Sequence, residues 1–290
     1  MRARTRLVAA ALVVAVLAGA VVFAQERRRR GGRGYGGYGG GWSDRGIPEI
    51  TDRRGVPDWQ VDPAFKHDVF TFVRVKYNSW GRGGGWLTDY PDSDLNFPFR
   101  LQQLTSLKVD PQPKIVELTD DALFDYPFVY MIEPGGLQFT DDEVVNLRRY
   151  LLNGGFLMVD DFWGEDEWDN FYQEIKRVFP EPAQEPRELD ISHKIFNCVY
   201  VLKEKPQVPS IHWAVRNRDT GITYERWDAK EVHYKGIFDD KGRMMAIICH
   251  NTDLGDGWER EGEDEWYFRE FAEKKSYPMG INIVFYAMTH

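Results

Sequence analysis

Cysteine is scarce, with two thiols, Cys198 and Cys249, in a chain of 290 residues. So small a number excludes a disulfide-stapled miniature fold and leaves room for one bridge, which sequence alone cannot place within bonding distance. Histidine is scattered too. His193, His212, His233 and His250 show neither H-x-x-x-H nor H-E-x-x-H spacing, so no zinc-type ligand set is assigned. The Gly-rich run Gly81 to Gly85 lacks the G-x-G-x-x-G pattern and the Lys-Ser/Thr of a P-loop, which speaks against a nucleotide site. Net positive charge is confined to the start of the chain. Residues 1 to 30 hold seven Arg and one Glu, a net of +6, so the other 260 residues carry −9 − 6 = −15. An acidic body argues against nucleic acid, whose affinity rests on phosphate neutralisation by Lys and Arg.

What is present begins with a leader-like segment. Arg2, Arg4 and Arg6 precede an uncharged run from Leu7 to Ala24 that ends in small residues. Residues 1–24 therefore read as a secretory signal cleaved before Gln25, or as an uncleaved membrane anchor. Arg27 to Arg30 stand against translocation. Residues 25–62, including GGRGYGGYGGGW, read as an Arg/Gly-rich disordered linker, and 63–290 as one α/β domain. The expected location is periplasmic or secreted, with membrane contact only through the N-terminal segment.

With 42% hydrophobic and 14% aromatic residues, the chain can bury one substantial core. Its centre is a β-α-β crossover: Phe128 to Ile132, a capped helix from Thr140 with Glu143 three residues on, Asn153-Gly154-Gly155 as a stop, then Phe156 to Val159. Val144, Leu147 and Leu151 give the helix its sheet-facing stripe. A first strand is expected over Val69 to Tyr77, a helix over Leu95 to Leu107 with Leu101 and Leu104 inward, and a short strand over Lys114 to Leu118. Beyond Gly164 come an amphipathic helix, an extended Ile191 to Leu202, a hairpin of Tyr234 to Ile237 with Arg243 to Cys249, and a closing helix from Pro278. The sheet is expected to be mostly parallel, with helices on both faces and an extra β-hairpin.

Parallel strands deliver their carboxyl ends to one edge, where open α/β sheets bind ligands. The turn at Gly135 and Gly136 and the turn at Asp160 and Asp161 therefore belong side by side. Close carboxylates can work as an acid/base pair or bind Mg2+ or Ca2+; alternatively Asp161 caps the next helix, whose dipole Glu165 to Glu167 complement. Asp253 and Asp256 are placed to face them. His250 sits at another strand end and is the one histidine where a site belongs, although a hydrogen-bonded structural role suits it as well. Trp80, Trp86, Trp163 and Trp258 fall on the edge loops, either as exposed platforms for sugars and partner side chains or as buried lids. The Gly84 loop could cradle an anion with its amides, and Asn251 and Asp253 complete the ligand-binding set. No cofactor is assigned.

Several separated motifs carry a resemblance: the first strand with its Gly/Trp loop, GGFLMVDD ending at Asp161, ICHNTDLGDGW ending at Trp258, and MGINIVFYAMT ending at Thr289. They resemble the bacterial family catalogued as domain of unknown function 4159. The resemblance implies a flavodoxin-like, class I glutamine amidotransferase-like fold and brings no activity with it. Those amidotransferases place a nucleophilic Cys in a G-x-C-x-G elbow, where this chain has Val159-Asp160-Asp161-Phe162-Trp163-Gly164. A glutaminase mechanism loses its thiolate. Two readings follow: a non-catalytic binding or assembly module for a carbohydrate, peptide or protein of the cell envelope, or a hydrolase acting on such a carbohydrate or peptide with Asp160 or Asp161 and His250 in acid/base roles, with or without a divalent metal.

Overall fold

The computed structural model describes residues 47–65, 68–80 and 85–290. The expected leader and the Arg/Gly-rich part of the linker fall on residues 1–46, outside this set. Residues 47–62 hold no helix or strand, yet Val56 is buried and the Trp59 ring N–H donates to the Val109 carbonyl at 2.7 Å.

The strands are β1 (Val73–Lys76), β2 (Asn78–Ser79), β3 (Lys114–Glu117), β4 (Phe128–Ile132), β5 (Leu137–Gln138), β6 (Phe156–Asp160), β7 (Arg187–Glu188), β8 (His233–Phe238) and β9 (Met244–His250). Seven of them form one sheet in the order β3-β1-β4-β6-β9-β8-β7, and β2 pairs with β5 in a small antiparallel ribbon. From β3 to β9 the pairing is parallel; only β8 opposes its neighbours. This is an α/β architecture of the flavodoxin-like kind with an added hairpin. Every residue of β4 and β6 is buried, because an unbroken apolar run needs cover on both faces.

The helices are α1 (Asp92–Leu104), α2 (Asp141–Leu152), α3 (Gly164–Val178), α4 (Ile211–Arg216), α5 (Leu254–Glu259), α6 (Glu265–Tyr267), which runs on through a π-helical stretch to Ser276, and α7 (Tyr277–Thr289). One face of the sheet packs Phe72, Tyr130 and Met158 against Phe97, Trp258 and Ile281 of α1, α5 and α7. The other packs Val129, Leu157 and Ile248 against Leu147, Leu151, Phe171 and Ile175 of α2 and α3. At the start of α2 the Thr140 hydroxyl accepts from the Glu143 amide and the Glu143 carboxylate accepts from the Thr140 amide, the reciprocal cap its spacing predicts. Gly154, at φ +108°, then turns the chain in a conformation that a side chain would strain.

Three local expectations are corrected. The first strand covers Val73–Lys76, with Phe70 joined to Val109 by a single bridge. The first helix begins earlier and ends at Leu104, which is exposed because only the Leu101 side of the last turn meets the core. Ile191 to Leu202 is not a strand. Its amides at Val199 and Tyr200 donate to the Asn282 side chain of α7 instead of to a neighbouring strand, and Lys194–Phe196 is a 3-10 turn. Among the described residues no helix is long and apolar enough to cross a membrane.

Candidate functional site

Three adjacent parallel strands end level with one another, and each is followed by a side-chain-bearing residue in the left-handed region: Glu133 after β4 at φ +49°, Asp161 after β6 at +56° and Asn251 after β9 at +62°. Asp89, ahead of α1, is a fourth at +63°. Left-handed backbone costs a non-glycine residue about 1 kcal/mol, so it persists where surrounding bonds fix it. Those bonds are present. The Asp161 amide donates to Thr252 O at 3.1 Å, the Asn251 amide to Phe162 O at 2.9 Å, and the Glu133 amide to Asp160 O at 3.1 Å. The Tyr77 hydroxyl reinforces the first turn, 2.5 Å from Ile132 O and 2.7 Å from Glu133 O.

The turns gather carboxylates. Asp160 is fully buried on the α5 face; its Oδ2 accepts from the Gly255 amide at 3.0 Å and the Tyr130 hydroxyl at 3.3 Å, while Oδ1 has no hydrogen-bond partner among the described residues. Burial pushes its carboxyl up to about 7, against the pull of the Gly255 and Asp161 amides. Asp161, partly exposed, accepts from the Trp163 ring N–H at 3.0 Å. Burial, with the charges of Glu133 and Asp160 beside it, holds its carboxyl well above the usual range. Asp253 caps α5 by accepting from the Asp256 amide at 2.7 Å, and burial with Asp161 and Asp256 nearby raises it as well.

Asp89 and Glu259, neither of them flagged by the sequence, join this group. Burial and the Glu259 and Asp256 charges push Asp89 up; burial, partly offset by Arg260, lifts Glu259 to about 8. Tyr130 and Arg74 belong to the same wall. Arg74, fully buried, binds Asp94 through Nε at 3.0 Å and the Trp86 and Thr88 carbonyls through Nη1, both at 2.9 Å, so its charge is spent on the scaffold. A charged residue between the inward Val73 and Val75 was a legible signal.

Other residues singled out from sequence lie elsewhere or are used up. His250 points to the opposite face of the sheet from Asp160, as strand alternation requires, and packs on Phe162 at 4.7 Å and Trp168 at 5.3 Å. Its Nε2 donates to Gly164 O at 3.0 Å, and burial drops it to about 4, so it is neutral at pH 7. The structure contains no hydrogen bond from it to either aspartate among the described residues. Asn251 is buried with its side chain spent on the Gly164 amide and the Glu231 carbonyl. Gly135 and Gly136 are packing positions: a β-carbon would stand 2.5 Å from the Glu167 side chain at the first and 2.2 Å from Trp80 O at the second.

Of the four edge tryptophans, only Trp80 is exposed, at 58%; Trp86, Trp163 and Trp258 are buried lids. Gly84 lies outside the described residues. Asp161 does not cap α3. The Trp163 amide donates instead to Glu167 at 2.8 Å, which puts a carboxylate at the positive end of the helix. Cys198 and Cys249 are both free, and burial pushes the Cys249 thiol well up, away from reactivity.

No curated protein matches the chain. A family model described as Domain of unknown function (DUF4159) matches residues 71–288. The chain belongs to that DUF4159 family.

Proposed function

We propose that this chain is a ligand-binding module whose cleft is the carboxylate rim at the carboxyl edge of β4 and β6. The observation that carries the reading is Asp161: a partly exposed carboxylate, at φ +56°, oriented by the Trp163 ring N–H and set beside Glu133. Strained polar residues that add nothing to the core are a feature of binding sites. The ligand class is one that donates to carboxylates and stacks on indoles, as sugars and peptides of the cell envelope do. Exposed Trp80 and Trp227, the latter 85% exposed, support it. Both attach to the first turns of α3. The Trp80 ring N–H donates to Asn170 at 3.2 Å, and the neighbours of Trp227 are tied to Glu167 and to the Glu165 amide.

A second reading, a hydrolase acting on the same ligands, draws on the raised carboxyls of Asp160 and Asp161. His250, buried, neutral and on the other face, is not the partner that reading needs, which leaves Glu133 beside Asp161 for the second role. One experiment separates the two. Envelope glycans and peptides are titrated against intrinsic tryptophan fluorescence while product formation is followed by chromatography. A binder gives saturable quenching that Trp80→Ala and Asp161→Asn weaken about tenfold, with no product. A hydrolase gives product whose rate Asp161→Asn cuts by about a hundredfold or more. Neither quenching nor product with any envelope fragment would contradict both.

A further inference from the structure

Helix α4 packs beside α6, and two open clefts lie along the surface they share. One, of about 400 Å3, is lined by Arg218, Trp266 and Arg269; the other, of about 360 Å3, by His212, Val215 and Arg216. Asp264 lines both, so the two adjoin there. Their volumes fall within the range of ligand sites, roughly 300–1,000 Å3.

The acids of this surface are spent within the chain. Glu265 pairs with Arg269 at 2.6 Å, Glu270 with Lys274 at 2.7 Å and Glu263 with Arg260 at 3.2 Å, while Asp264 accepts the Tyr267 amide at 2.8 Å. Two of its arginines are not. Arg216 and Arg218 are exposed, and neither forms a salt bridge among the described residues. On a body that carries −15, two uncompensated guanidiniums two residues apart are where a negative ligand finds its complement.

One of them is held ready. The Arg218 guanidinium lies over the Trp266 ring, 4.6 Å from its centroid, and Phe271 meets that indole edge-on at 5.7 Å. Stacking fixes the guanidinium plane and leaves its N–H edge to bond a carboxylate bidentately. The same stack occupies an indole face that a sugar ring would need, which favours a peptide over a glycan. In the second cleft Val215, 47% exposed beside Arg216, supplies contact for an aliphatic side chain.

We infer that α4 and the first turns of α6 bind an acidic peptide segment, which sets Asp or Glu side chains on Arg216 and Arg218 and an aliphatic side chain on Val215. Clustered arginines are a recurring means of reading acidic motifs. The surface shares no residue with the rim around Asp161, and the inference does not rest on the reading of that rim.

The test uses the full chain and a short fluorescein-labelled peptide of alternating Glu and Leu, followed by fluorescence anisotropy. The expected result is saturable binding with a Kd of about 100 μM or tighter. Arg216→Ala and Arg218→Ala should each weaken it about fivefold, and the two together about twentyfold or more. Arg149→Ala, which removes an exposed arginine of α2, should leave it unchanged, so that loss of net charge is told apart from loss of the site. A peptide with Gln in place of Glu should bind at least about fivefold more weakly. Circular dichroism verifies folding of each variant. The inference is overturned by no saturable binding up to about 1 mM peptide, by equal binding of the Gln peptide, or by folded Arg216 and Arg218 variants that bind as the wild type does. Tighter binding of an oligogalacturonate than of the Glu peptide would overturn it too, since the surface would then be a glycan site.

Discussion

The amide of Glu133 donates to the carbonyl of Asp160 at 3.1 Å, and this bond keeps the turns after β4 and β6 level. Both residues that leave those strands, Glu133 and Asp161, are bent into left-handed backbone there, so their carboxylates rise on the same rim. Fold and site meet at this point: two buried apolar strands fix the register, the register fixes the turns, and the turns hold the charge.

If that strain serves binding, removing it should harm the ligand and not the fold. Glycine at position 161 relieves the φ of +56° and removes one member of a crowded set of carboxylates. Asp161→Gly should leave stability to urea unchanged or raise it by about 1 kcal/mol, while ligand-induced fluorescence quenching is lost. A loss of stability above about 2 kcal/mol would mean that Asp161 is a structural residue.

Arg74 and Asp94 form a buried ion pair at 2.5 Å, with both side chains shut away from solvent. Removing one partner strands the other. Arg74→Met should cost about 3–5 kcal/mol in urea denaturation, and adding Asp94→Asn should return a large part of it. An additive double mutant would show that the pair is not coupled.

Stability should also vary with pH in a sense set by the buried acids. Asp160, raised to about 7 from 3.8, and Glu259, raised to about 8 from 4.5, hold protons in the native state that the unfolded chain gives up. Their contribution is full below about pH 4 and is lost as pH rises through 7 to 8. His250 acts oppositely: depressed to about 4 from 6.5, it contributes above 6.5 and loses that contribution as pH falls toward 4. Between about pH 8.5 and 6.5 the acids act alone, so Tm measured in EDTA should climb as pH drops. Asp160→Asn should flatten part of that climb; a wild-type Tm that is level or falls across the window contradicts the assignment.

How much of this was readable from sequence follows from which forces are local. The β4-α2-β6 unit, its Thr140 cap, the β8-β9 hairpin and α7 were legible because apolar period, caps and turn residues are written within a few positions of each other. Asp160 and Asp161 were legible as strand-end acids for the same reason. Asp89 and Glu259 were not, since they reach the site only when α5 packs on α1 through contacts such as Phe97 on Trp258 at 4.3 Å. His250 looked like a partner because its strand ends at the right edge. Alternation sends it to the α3 face, together with Phe162 and Trp168, while Cys249 shares the Asp160 side. The aromatic loops carry no such period, so their sequence could not tell Trp80 in solvent from Trp86 in the core.

The central claim is that strand-end acids converge into one desolvated cluster, and the direct measurement is a 13C NMR titration of side-chain carboxyls in EDTA. Asp160 should titrate with a midpoint at about 7, and Asp161 and Asp89 well above the ordinary aspartate value, each displaced when a neighbouring acid is neutralised. Independent midpoints for all three near about 4 are what solvated, dispersed carboxylates give, and that result would contradict the cluster and everything built on it.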